Sequence, residues 1–466
     1  MRTREPATTK RSRPGCRPAL ALAGLVLAGS FALAGCRGDG DGEASGAAAT
    51  KRVPQATAAQ LAAAGLDELP LAPAGQRVDL VAPQFSDPTR ITNPLFPISN
   101  LRSAVLNGRV EGKPFRTETT LLPETRILEW PEGRLVRALV SQYVAYLDGR
   151  IEEVALDYYA QADDGSVWYF GEDVFNYQDG VVADLEGTWL AGREGPAAMI
   201  MPAHPQPGDV YRSENVPGLV FEQVTVKPAR EPVEGPQGPV EGAIIAEELH
   251  QDGQREDKVF APGYGEFFTG GGGDVEALAL AVPTDELPGP PPPGLRTLLA
   301  GADRVFEQAG AKDWQAAART AAAMAEAWRS FRASRVPPRL ESVTSAAMAR
   351  LVRTVDAREA TKARQAALDV GQAALDLELR HRPPAEVDRG RFELWARQLL
   401  LDAAAEDAAG IAGDVATLEW IRDRIASTFT DVELTRLDTR LVELRTAVNY
   451  DALPGAAEIA AELSQL

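Results

Sequence analysis

Four consecutive prolines, Pro290 to Pro293, divide this chain into two stretches with different periodicity. From about Leu101 to Val282 apolar and polar residues alternate with a period of two, the repeat of a strand. Beyond Gly294 the apolar residues recur at steps of three and four, the repeat of a helix. The expected fold class is therefore α+β and multidomain, with an antiparallel β meander, as a curved sheet or open barrel, followed by an all-α up-and-down helical bundle. The segment from Pro283 to Gly294, PTDELPGPPPPG, reads as a stiff polyproline spacer that holds the two parts away from each other.

Within the β stretch, Asn107-Gly108, Asp148-Gly149, Asp164-Gly165, Asp179-Gly180 and Asp252-Gly253 are dipeptides of the kind that close hairpins, where positive φ is required. Between the middle turns Val154, Leu156 and Tyr158 alternate with Glu153 and Asp157, so one face is apolar and the other acidic. The insert from Arg230 to Pro239 reads as an exposed hairpin loop, and Gly270 to Gly273 as a flexible hairpin. Upstream, Pro83, Pro88, Pro94 and Pro97 fix an extended entry that cannot be a central strand.

In the helical stretch, Asp313 to Ser334 places Trp314, Ala318, Ala321, Ala325, Trp328 and Phe331 on one face, with Asp313 as N-cap. Further helices are expected near 340–355, 357–380, 385–409, 415–427, 431–449 and 456–466, and a short one over 56–64.

The N-terminus reads as an export signal. Basic residues from Arg2 to Arg17 precede an apolar run from Ala19 to Ala34, and Leu33-Ala34-Gly35-Cys36 is a lipobox-like step. The run is shorter than the ~20 residues a spanning helix needs. Residues 1–35 are thus expected to be a lipoprotein signal peptide, with Cys36 as the lipidated residue and 36–76 as a tether with a short helix. The β domain then spans 77–282, the linker 283–294 and the bundle 295–466. Localisation follows as exported and extracytoplasmic, anchored by lipid to the plasma membrane or outer membrane. Removing the leader's six Lys/Arg and one Glu takes the formal charge from −19 to about −24. Such a surface repels phosphate backbones, which argues against nucleic-acid partners. The chain has two cysteines, Cys16 and Cys36, so cleavage and lipidation leave no thiol for disulfides, metal thiolates or nucleophilic catalysis.

The stretch from Asp157 to Glu214 concentrates Tyr158, Tyr159, Trp168, Tyr169, Tyr177, Trp189 and Tyr211 among carboxylates. Its words VWYFGED (Val167 to Asp173), EGTW (Glu186 to Trp189), MPAHP (Met201 to Pro205) and GDVYRSE (Gly208 to Glu214) occur in that order. The segment resembles an uncharacterised family of bacterial exported lipoproteins with a VWYFGED, EGxW and MPAxPxxGDxYRxE signature. The resemblance implies export and a β domain but no activity, cofactor or catalytic residue. His204 stands where that pattern has Asn, so the resemblance gives His204 no required role.

Chemistry is weighed against that background. No G-x-S-x-G, C-x-x-C-H or phosphate-loop pattern is present. Glu378 and His381 form the one E-x-x-H step of the helical stretch, but a di-iron bundle needs two on its helices, so His381 reads as an imidazolium at a helix C-terminus. Asp163-Asp164-Gly165 and Glu172-Asp173 read as turn and solvated face rather than a calcium loop. No cofactor and no metal set is expected. The candidate ligand-binding residues are Asp157, Trp168, Tyr169, Glu172, Asp173 and Trp189. The expected function is a lipid-anchored binding or scaffolding module with an envelope protein or glycan as partner. The alternative is a carboxylate-dependent hydrolase of envelope glycans using Asp157 with Glu172 or Asp173.

Overall fold

A computed structural model describes residues 51–465 apart from 131, 132, 230, 231, 272 and 451. The leader, Cys36 and the start of the tether lie outside the described residues. Helix α1 (Ala58–Ala63) is held by a reciprocal capping box between Thr57 and Gln60.

The alternating stretch forms strands β1 (Ser103–Val110), β2 (Lys113–Trp130), β3 (Arg134–Leu147), β4 (Arg150–Gln161), β5 (Val167–Gln178), β6 (Val181–Asp184), β7 (Trp189–Leu190) and β8 (Ala198–Met201). It continues with β9 (Val210–Val216), β10 (Val220–Pro228), β11 (Val233–Gly235), β12 (Gly238–Val240), β13 (Ile244–His250), β14 (Arg255–Ala261), β15 (Gly265–Gly271) and β16 (Asp274–Val282). Most belong to one antiparallel sheet in the order β6-β5-β4-β3-β2-β1-β16-β15-β14-β13-β10-β9, with β7 and β8 also pairing with β5. β11 and β12 form a separate hairpin from the predicted insert. The sheet curves until β8, on one end, lies beside β9, on the other. No ladder joins those two among the described residues, so the barrel stays open.

Turn chemistry follows the sequence at most of the five dipeptides. Asp148-Gly149 and Asp179-Gly180 have both residues at positive φ, the two-residue hairpin geometry. Asp164 and Asp252 each accept the backbone N–H two residues on. Asn107-Gly108 departs from the expectation, because β1 runs straight through it and turns at Glu111-Gly112 instead. The glycine is needed there for approach rather than for turning: a Cβ on Gly108 would stand 1.6 Å from the carbonyl oxygen of Val275 on β16.

Helices α2 (Pro293–Gly310), α3 (Trp314–Phe331), α4 (Pro338–Asp356), α5 (Ala360–Glu378), α6 (Pro384–Ala404), α7 (Ala408–Ile425), α8 (Asp431–Asn449) and α9 (Leu453–Leu463) follow. Asp313 caps α3 by accepting from Ala316 N at 3.0 Å. Ala318 is exposed, and Ala317, Ala321, Met324 and Trp328 form the buried stripe. The helix expected over 385–409 ends at Ala404, and the next starts at Ala408 rather than near 415, because Glu406 turns to φ 56° and Asp407 caps the new start by accepting from Gly410 N. Sequence reading also assigned no helix between the proline run and Asp313, whereas α2 begins inside the proline run. Proline is tolerated in a first turn, where its missing N–H would have no partner anyway.

The proline run does not hold the two parts away from each other. Helices lie directly on the outer face of the sheet, and Val105, Leu280 and Val282 share one core with Leu295, Leu298, Met324 and Leu351. Asp285, fully buried, receives Ala281 N and the Tyr264 hydroxyl, which folds the start of the linker back against β16. Tyr146 stacks on Trp395 of α6 at 5.2 Å, and Trp420 of α7 donates to the Tyr177 hydroxyl at 2.7 Å.

A buried charge network completes this interface. Arg116 on β2 makes a bidentate pair with Asp376 on α5 at 2.7 and 2.8 Å, and reaches Glu118 at 2.6 Å. Arg391 on α6 donates to Asp376 and to Asp388, both at 2.8 Å, and Arg424 on α7 donates to Glu118 and Gln142. Arg391 and Asp388 are 0% exposed. Burial works against the Glu118 charge, yet Arg391, Arg116 and Arg424 hold its carboxyl well below the ordinary range. Three guanidinium groups thus answer three carboxylates, which fixes how the helices seat on the sheet.

An acid-lined concavity as candidate functional site

Because side chains alternate along a strand, the residues that do not face the helices point into the concavity. On β4 these are Glu153 and Asp157. On β5, Glu172 is the ladder partner of Asp157, and Tyr169 reaches the same side across a bulge at Gly171 (φ 108°). From the other half of the sheet come Glu214 on β9, Glu222 on β10, Glu248 and His250 on β13, Glu256 and Lys258 on β14, Glu266 on β15 and Glu276 on β16.

Curvature makes these groups neighbours although their strands are far apart in the sheet. Glu266 on β15 raises the pKa of Asp157 on β4. The carboxyls of Glu172 and Glu214, near the two ends of the strand order, hydrogen-bond to one another. Phe96, from the proline-rich entry, packs edge-on to Tyr159 at 4.9 Å and against Phe260 at 6.4 Å, bridging β4 and β14.

The electrostatics are unusual for so acidic a lining. Burial, with Asp157 and Glu152 nearby, pushes Glu153 up to about 7. Burial also outweighs the Tyr169 hydrogen bond and, with Glu266, pushes Asp157 up to about 7. Glu172 rises well above the carboxylate range through burial, Asp157 and Glu214, and Glu214 rises through burial and Glu222. Burial and Glu266 put Glu276 at about 8. The cations that face these carboxyls are Lys258 and His250. With too little positive charge at hand, a buried carboxyl takes up a proton rather than carry an uncompensated charge.

The candidate residues read from sequence divide between two faces. Asp157, Tyr169 and Glu172 share the concavity, with the Tyr169 hydroxyl donating to Asp157 Oδ1 at 2.7 Å. Trp189 stands opposite Glu172 in the β5–β7 ladder and packs edge-on to Tyr169 at 5.5 Å. It is 0% exposed, and its indole N–H has no acceptor. Tyr159 stacks on Tyr169 at 4.9 Å and continues this wall of rings. Trp168 lies on the outer face in a core with Trp130 and Phe170, its indole donating to Ser166 at 2.9 Å. Asp173 is also outside, bound by the Tyr158 hydroxyl at 2.7 Å and by Arg126.

Sequence reading missed the contribution of β9 to β16. Glu214, Glu222, Glu248, His250, Lys258, Glu266 and Glu276 are spread over more than sixty positions, and alternation within β13 and β14 was the one local signal that several share a face. His381 behaves differently from the expected imidazolium: burial pushes it below its ordinary value, outweighing a backbone hydrogen bond with Gly289 that favours the proton, and the neighbouring Arg380 adds to the fall. A groove of about 750 Å³ on the helical region is lined by Arg350, Arg353, Asp356, Glu359 and Lys362, all exposed, and has the character of a solvated surface. Among the described residues no helix is long and apolar enough to cross a membrane.

No family model matches the chain, and no curated protein matches it.

Proposed function

We propose that this chain is a lipid-anchored cell-envelope binding protein whose open barrel holds a cationic ligand in its concave face. One observation carries the reading: carboxyls from both halves of the sheet converge on its concave face, where too little positive charge stands to ionise them. A cation entering there supplies what the fold withholds, and the carboxyls ionise as it binds. Tyr159 and Tyr169 add ring faces suited to an organic ammonium. The helical region, locked to the outer face by the arginine network, serves as a rigid support that keeps the sheet curved.

Binding is better supported than glycan hydrolysis by Asp157 with Glu172 or Asp173. A glycosidase pair needs one protonated and one ionised carboxyl beside the same bond. Asp157 and Glu172 are both pushed upward, and Asp173 faces away.

The test is calorimetry of the full chain with spermidine in buffers of different ionisation enthalpy. The expected result is saturable binding with proton release, weakened at least tenfold by Asp157→Asn combined with Glu172→Gln. Absence of binding, or binding indifferent to that double change, would overturn the reading.

A further inference from the structure

Beyond Glu214 the lining changes character, because the single histidine of the concavity enters it. Glu222 on β10 and His250 on β13 are direct ladder partners, and Glu248 precedes His250 by two residues and so shares its face. One ligand atom from each of Glu222, Glu248 and His250 lies within 4.8 Å of the others. That spacing lets the three reach one ion with bonds of ~2.0–2.2 Å after small rotamer shifts.

Two further observations concern the same spot. Glu248 is 3% exposed, and its Oε2 has no hydrogen bond; the Lys258 ammonium stands 3.1 Å away, out of hydrogen-bonding alignment. His250 Nδ1 faces Glu222 at 2.9 Å while Nε2 faces Glu256 at 3.8 Å. At that distance Glu256 adds negative charge behind the far nitrogen without a hydrogen bond to the ring, while Nδ1 is the nitrogen turned toward Glu222. One imidazole with two carboxylates suits a borderline transition ion such as zinc, whereas calcium and magnesium prefer all-oxygen shells.

We propose that Glu222, Glu248 and His250 form a site for a zinc-class divalent metal ion, with Lys258 as a built-in competitor for the same negative charge. The proposal rests on the concavity being a ligand site, but it uses a different wall from Asp157 and Glu172. Glu214 and Glu256 also face the position, and Glu266 faces Lys258; they contribute negative potential without completing the ligand set. The ion displaces the Lys258 ammonium from Glu248 and takes the Nδ1 lone pair of His250, whose proton passes to solvent.

Calorimetric titration of the full chain with zinc chloride, and visible absorption of the cobalt-loaded protein, test this. Zinc is expected to bind at one equivalent, and His250→Gln or Glu222→Gln to weaken it at least tenfold with loss of the cobalt bands. Lys258→Met is expected to tighten binding several-fold, a gain that misfolding cannot imitate. Zinc affinity indifferent to His250→Gln, or unchanged by Lys258→Met, overturns the proposal. Spermidine binding that survives in His250→Gln while zinc binding fails in the parent chain removes the metal site alone. The reverse pattern removes the organic-cation reading and leaves the metal site standing.

Discussion

Asp157→Asn turns the electrostatics of the concavity into a stability measurement. Asparagine keeps the shape of the side chain and an oxygen to accept the Tyr169 hydroxyl, which is 2.7 Å away in the parent. What it removes is the proton equilibrium. Unfolded, an aspartate takes up its proton near pH ~3.9; folded, Asp157 does so at about 7. Below the lower value both states are protonated, and above the upper value both are ionised. Between them folding takes up a proton, so the contribution to stability is complete at low pH and is lost as pH rises from about 4 to 7. Three pH units at ~1.36 kcal/mol each set a ceiling of about 4 kcal/mol. Asp157 is only partly enclosed, so solvent screening brings the expected effect to ~1–2 kcal/mol. Urea unfolding of parent and variant at pH 4 and pH 8 reads this out. The two should have nearly the same midpoint at pH 4, and the variant should be the more stable at pH 8. A midpoint difference that does not change between the two pH values would refute the argument that Asp157 titrates with the fold.

Three more perturbations probe the frame around the site. Arg391→Leu leaves Asp388, Asp376 and Glu118 buried with Arg116 and Arg424 alone to neutralise them, and should cost ~3–5 kcal/mol, measured by chemical unfolding. Gly108→Ala drives a methyl group into the Val275 carbonyl and should lower the thermal midpoint severely, by the equivalent of ~3 kcal/mol or more, whereas Gly112→Ala meets open space and should cost ~1 kcal/mol through its positive φ alone. Thr430→Ala removes the capping box at the start of α8 and should cost ~1 kcal/mol, visible as earlier loss of helical signal on heating.

Much of the architecture was legible because local rules decided it. Asp148-Gly149 and Asp179-Gly180 closed hairpins, since few other dipeptides accept positive φ at both positions. Asp313 capped its helix because a short side-chain oxygen reaches the free N–H groups of a first turn. Local rules failed where a distant partner intervened. Asn107-Gly108 carries a turn signal, yet the close passage of β16 makes it a strand interior. The proline run looks like a spacer, but apolar faces on both sides gain more by packing together than by standing apart, and Asp285 fixes the fold-back.

The candidate site divides in the same way. Period-two alternation by itself determined that Glu153 and Asp157 share a face opposite Val154, Leu156 and Tyr158, and that the Asp157 to Glu214 stretch is a β-sheet wall rich in rings and acids. Alternation carries no information about what stands across a cavity. Only curvature of the sheet brought Glu214 to Glu172, Glu266 to within electrostatic reach of Asp157, and His250 into a lining of carboxyls. The side-chain period of a strand is a local property, whereas the charge balance of a cavity depends on long-range strand order and its twist.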